Sequence, residues 1–174
     1  MIVRMVAPEQ VYRFVPELTR LFEDFLRRAK EPFTVEQQWA AVEAGLPQPH
    51  VLWLVGFNDR MRPVGYLLAQ SGADWWGIRY ANVIQLYTKP GTPAEMVGEF
   101  DAHVERWADE QGAQVISGLT NRDSPGYLRW MQRRGFVKGP VTYYRIRGGH
   151  DGQAPAATTA SHEHPPSGVH AIRP

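Results

Sequence analysis

Cysteine is absent from the 174 residues. That excludes disulfides and thiolate metal centres, and it is compatible with a reducing compartment. Excess charge of one sign is absent too. Nineteen Lys and Arg face eighteen Asp and Glu, for a formal net charge of +1. No global field draws the chain to nucleic acid or to a membrane, so neither is an expected partner. No apolar run approaches the ~18 residues of a membrane span. The opening Met1-Ile2-Val3-Arg4-Met5-Val6 is too short, and too interrupted by arginine, to serve as a secretory signal. A cytoplasmic location is the expectation. No internal repeat is present.

What is present suits one globular domain: 43% hydrophobic residues and 21% charged. A domain of roughly 150 residues buries about 70% of its unfolded surface and needs no staples. The composition changes at Gly148. Residues 148–174 carry no aromatic side chain and almost no aliphatic bulk. Such a segment buries too little to offset its ordering entropy, so it is expected to be disordered unless a partner holds it. Its His162-x-His164 pair, with His150 and His170, has metal-ligand character, but a polar low-complexity tail is the preferred reading. The division is therefore a domain over 1–147 and a tail over 148–174.

Within the domain, Ile2–Val6 reads as a strand. A helical stripe follows through Val11, Phe14, Leu18, Leu21, Phe22 and Phe25, with Pro16 expected to kink or split it. Thr34-Val35-Glu36-Gln37 is a capping box that opens a helix carrying Trp39, Val42 and Leu46. Val51–Phe57 and Val64–Gln70 read as a hairpin around the turn-rich Asn58–Pro63. Tyr80–Tyr87 is a further strand. A helix from Pro93 places Val97, Phe100, Val104 and Trp107 on one face and ends at Gly112. Val115–Thr120 is a strand, Pro125–Arg134 a helix stopped by Gly135, and Val141–Ile146 the last strand. This order specifies an α/β (α+β) fold: a mixed central sheet with helices on both faces.

The element order, the strand–helix pair Tyr80–Ala108 and the ending Trp130-Met131-Gln132-Arg133-Arg134-Gly135-Phe136 resemble the GNAT superfamily of N-acetyltransferases. The resemblance covers about residues 1–147. In that family the loop after the fourth strand, of pattern Arg/Gln-x-x-Gly-x-Gly/Ala, holds the pyrophosphate of acetyl-CoA on backbone N–H groups at a helix start. Aligning Pro90 with the proline common before that loop puts Pro93 at the Arg/Gln position, Met96 at the first glycine and Gly98 at the last. One position of three is kept. Thr92-Pro93-Ala94-Glu95 also reads as a second capping box, in which Thr92 and Glu95 would occupy the donors a phosphate needs. The family's tyrosine acid corresponds to Met131, which has no proton to give. Tyr127, one turn earlier, is its substitute. A family asparagine corresponds to Ser124, with Asn121 nearby. On the fourth strand, where the family often carries a glutamate base, the polar candidates are Gln85, which cannot act as a base, and Tyr87, expected to be packed with its hydroxyl satisfied.

Two functional expectations follow. The first is a non-catalytic GNAT-fold interaction module with a degenerate CoA site and no cofactor. It would bind a protein partner through the tail 148–174 and through Trp75 and Trp76. A weaker similarity to GNAT-like proteins of tailed phages would place such a module in a virion or another large assembly. The alternative is an acetyl-CoA-dependent N-acetyltransferase. In that case Tyr87 and Tyr127 are the catalytic candidates, and Leu86, Thr88, Met96, Val97, Gly98, Asn121 and Ser124 are the cofactor-binding candidates. A third possibility, phosphate or RNA binding by Arg122, Arg129, Arg133 and Arg134, gives way to a solvated helix face.

Overall fold

Pro16 decides how the first helical stretch is built. The computed structural model, which describes residues 1–29, 31–118 and 131–136, splits that stretch in two. A short helix α1 (Pro8–Val11) passes through a 3-10 turn (Tyr12–Phe14) into α2 (Val15–Ala29). Pro16 lies in the first turn of α2, where an N–H would have had no helical partner. Leu18, Leu21, Phe22 and Leu26 make the buried stripe of α2. Helix α3 (Val35–Gly45) starts at the expected box: the Gln37 N–H donates to Thr34 Oγ1 at 3.3 Å, and the Thr34 N–H donates to Gln37 Oε1 at 2.9 Å.

Among the described residues, five strands form one sheet in the order β1 (Ile2–Met5), β2 (Val51–Phe57), β3 (Pro63–Ala73), β4 (Arg79–Thr88) and β5 (Val115–Gly118). The first three pairings are antiparallel, and β4 with β5 is parallel. The sheet is therefore mixed, as expected. Helix α4 (Ala94–Glu110) makes the crossover between the parallel pair. Strands β3 and β4 run further than their alternating cores suggest, because they continue as a hairpin beyond the sheet centre. The last helical residues described, 131–133, end where Gly135 was expected to stop them. The Phe136 N–H returns to the Met131 carbonyl at 3.1 Å, which satisfies an orphan acceptor of the final turn. The start of that helix, the strand expected at Val141–Ile146 and the tail lie outside the described residues.

Two hydrophobic layers flank the sheet. On one side α2 and α3 cover Trp53, Val55, Phe57, Tyr66 and Tyr87. Phe22 meets Trp39, Trp53 and Tyr66 there edge-on, with ring centroids 5.0, 6.0 and 5.0 Å apart. On the other side Met96, Phe100, Val104 and Trp107 of α4 cover Leu52, Leu54, Leu67 and Ala81. Strand β2 is buried on both faces, which explains its unbroken apolar sequence. Gly56 lets α4 come close: a Cβ there would lie 2.6 Å from Met96 Sδ and 3.1 Å from the Phe100 ring.

Strand β4 contains a bulge. Leu68 pairs with Gln85 and Ala69 with Val83, so Ile84 is the extra residue. Before it, Ala81 and Val83 face α4; after it, Leu86 does. The bulge thus turns Gln85 and Tyr87 to the α2–α3 side, a change of facing that an unbroken period of two would forbid.

Candidate functional site

Helix α4 does not start as the sequence suggests. Thr92 is not its cap. The N-cap is Pro93, extended at φ −57° and ψ 145°, with no side-chain capping bond, and the helix begins at Ala94. Lys89-Pro90-Gly91-Thr92 accounts for the difference. Proline followed by a glycine at φ +82° makes a type II turn, closed by the Thr92 N–H donating to the Lys89 carbonyl at 3.1 Å. The N–H that a capping box would pair with Glu95 is thereby consumed. Met96 N–H returns to the Pro93 carbonyl at 3.2 Å. The N–H groups of Ala94 and Glu95 have no hydrogen-bond partner among the described residues. The expected self-satisfied box is replaced by two open donors at the positive end of a 17-residue helix. Exposed Lys89 stands in the loop before them, and exposed Glu95 is the opposing charge.

Strand β5, whose described residues end at Gly118, pairs with β4 from Tyr80 to Val83. From Ile84 to Thr88 the outer edge of β4 has no partner strand among the described residues, and that edge leads directly to the head of α4.

The candidate cofactor residues are only partly brought together. Thr88 ends β4 beside this opening. Leu86 packs in the α4 layer, and Met96 is fully buried there, half a turn beyond the free amides. Val97 and Gly98 follow it into the helix. A Cβ on Gly98 would lie 3.5 Å from the Arg134 guanidinium. Asn121, Ser124 and Tyr127 lie outside the described residues. Lys89 is the residue overlooked in the sequence, and Ala94 and Glu95, read there as part of a capping box, form no such box. The signal was Pro90-Gly91, whose turn consumes Thr92 and delays the helix by one residue.

Tyr87 is buried on the α2–α3 side, and its hydroxyl donates to Asp24. That carboxylate also pairs with Arg27 and Arg28. Burial pushes Asp24 upward, but the hydrogen bonds from Arg27 and Arg28 outweigh it and hold the carboxyl below the usual range. Tyr87 is thus a core hydroxyl with a fixed acceptor. Tyr66, also buried, has an unpartnered hydroxyl, and burial, followed by the charge of Glu31, raises its pKa far above the ordinary tyrosine value. Both hydroxyls are built into the core layer beneath α2 and α3. Met131 stands in the last described turn, with a thioether where an acid would be.

Gln85 bonds reciprocally to Gln38 of α3, Nε2 to Oε1 at 2.9 and 2.8 Å. The pair stands in an open groove of about 450 Å³ between α3 and the strands, lined also by Phe33, His50, Leu68 and Ile84. Trp75 and Trp76 lie elsewhere, at the tip of the β3–β4 hairpin, and are 99% and 84% exposed. Asp74 Oδ1 accepts the N–H groups of Trp76 and Ile78, both at 2.9 Å, and fixes that tip. Of the arginine cluster, Arg134 is ion-paired with Asp101 of α4, whereas Arg122 and Arg129 lie outside the described residues. No group of three metal-ligating side chains and no helix long and apolar enough to cross a membrane occurs among the described residues.

No protein-family model matches the chain, and no curated protein matches it by sequence. Solved structures do match. A probable acetyltransferase superposes with a TM-score of 0.67 at 15% identity, over 87% of this chain and all of the other. An aminoglycoside N-acetyltransferase in complex with CoA gives 0.62 at 16% identity, over 84% and 100%. A ribosomal-protein-alanine N-acetyltransferase from Brucella melitensis gives 0.57 at 15% identity, over 85% and 100%. The chain has the GNAT acetyltransferase fold.

Proposed function

We propose that the protein is an acetyl-CoA-dependent N-acetyltransferase. The observation that carries this reading is the pair of amides at Ala94 and Glu95, which have no hydrogen-bond partner among the described residues and stand just beyond the end of β4. The interaction-module expectation rested on Thr92 and Glu95 capping the helix, and Thr92 closes a turn instead. Similarity to acetyltransferases, one of them a CoA complex, supports the same reading.

The residues present fit the cofactor's pyrophosphate. Two successive N–H groups stand at a positive helix end, and Lys89 adds a cation in the turn before them. Nothing lies within 4 Å of where a Gly91 Cβ would be, so the turn leaves room. Glu95 weakens the site without closing it, because its side chain is exposed and screened. Acetyl-CoA, when bound, supplies an acetyl group activated as a thioester. Ala94, Glu95 and Lys89 would hold the anionic end. The α3–β4 groove, on the opposite face of the sheet, takes the acceptor. Transfer forms one N–C bond, breaks one S–C bond and moves one amine proton to solvent or to the departing thiolate.

A single substitution isolates the carrying observation. Ala94→Pro deletes one donor, and proline is favoured at this first helical position after an extended residue. Calorimetry with acetyl-CoA should show micromolar binding to the native chain and about tenfold weaker binding to Ala94→Pro, the size of one charge-assisted hydrogen bond. Glu95→Gln should bind more tightly. Absence of binding to the native chain ends the proposal.

A further inference from the structure

The α3–β4 groove has a lining chemistry of its own. Among the described residues its polar side chains are five glutamines, Gln37, Gln38, Gln48, Gln70 and Gln85, together with His50, and none is a carboxylate, lysine or arginine. An ammonium-rich ligand would give up hydration here and meet no countercharge among those residues, which is unfavourable. Glutamine is both donor and acceptor, and so is a peptide group.

The Gln38–Gln85 pair sharpens the match. Each primary amide has two donor hydrogens and two acceptor lone pairs. The reciprocal bonds use one of each, so each partner retains one N–H and one lone pair. Gln38 is only 4% exposed, so water has little access to what remains. Unused amide capacity that is nearly desolvated favours a ligand supplying a donor and an acceptor together. Leu68 and Ile84 give that ligand an apolar floor, and the β4 bulge is what brings Ile84 and Gln85 to it.

We propose that this groove selects a peptide: an uncharged, amide-bearing segment presenting a single amine, in preference to a polycation. The role of the groove as acceptor site rests on the acetyltransferase reading. Its preference among ligands does not, and it can be measured without an acetyl donor.

The full chain, labelled for side-chain amide NMR, is titrated with tetra-alanine amide and, separately, with spermidine and an aminoglycoside. The peptide is expected to shift the Gln38 and Gln85 Nε2 resonances saturably, with a dissociation constant at least tenfold below that of either polycation. In Gln38→Leu/Gln85→Leu both partners become apolar together, so no orphan is left in the core. That variant should keep its thermal midpoint and lose peptide binding at least tenfold. Equal or tighter polycation binding overturns the proposal. So does peptide binding that survives in the double variant, or no saturable peptide binding at all. Acetyl transfer is then assayed separately. Peptide that binds but is never acetylated counts against the enzyme reading and leaves this one standing; a polycation acetylated in preference to peptide overturns this one alone.

Discussion

Asp24 is the residue on which several effects meet. It accepts from Tyr87 in the core and from Arg27 and Arg28 at the surface. Its folded pKa lies below the ordinary value of about 4, so the stability it adds is full above that value and is lost as pH falls through the lowered one. Urea unfolding at pH 6 and pH 3 should therefore show a larger acid-induced loss for the native chain than for Asp24→Asn. Tyr87→Phe removes the core hydroxyl and should cost about 1–2 kcal/mol of stability at pH 6. Acetyl transfer by that variant should fall by no more than its folded fraction does, since Tyr87 is tied to a structural carboxylate. A loss of several hundredfold in a folded variant would instead return Tyr87 to the catalytic list.

At the scale of elements, two stretches with the same cap signature behave differently. Thr34 closes a reciprocal box, and Thr92 closes a turn. Thr34→Ala should cost about 1 kcal/mol, and Thr92→Ala under about 0.5, as read by denaturant midpoints at constant slope. The contrast explains what the sequence leaves hidden. The pattern Thr-x-x-Glu is local, but whether it forms depends on the residues before it. Phe33 leaves the Thr34 N–H free for Gln37, whereas Pro90-Gly91 consumes the Thr92 N–H. Helix and strand positions, by contrast, were legible, because apolar spacing at Leu18, Leu21, Phe22 or at Phe100, Val104, Trp107 reflects burial directly. The Gln38–Gln85 pair was not legible. Its members are 47 positions apart, and only folding brings them together.

For the whole molecule, the sheet sorts its aromatics into a buried set and a displayed set. Trp53, Tyr66 and Tyr87 lie in the layer under α2 and α3, while Trp75 and Trp76 stand clear of it on a hairpin held by Asp74. Folding gains almost nothing from those two indoles. Trp75→Ser/Trp76→Ser should leave the thermal midpoint within about 2 °C of native, the change expected of surface positions with no packing to lose. A larger fall would show that the tip rests on residues beyond those described. The mixed sheet itself was legible from the alternation of strands and helices.

Ile84 adds one residue to β4, and the two halves of that strand therefore count differently. Odd positions serve the α4 layer up to Val83, and even positions serve it from Leu86. Shortening the strand by one would exchange the tenants of both layers from Gln85 onward, sending a tyrosine hydroxyl toward methionine and an aliphatic side chain toward a carboxylate. The spacing between Val83 and Tyr87 is accordingly held more strictly than the identities of the residues that fill it.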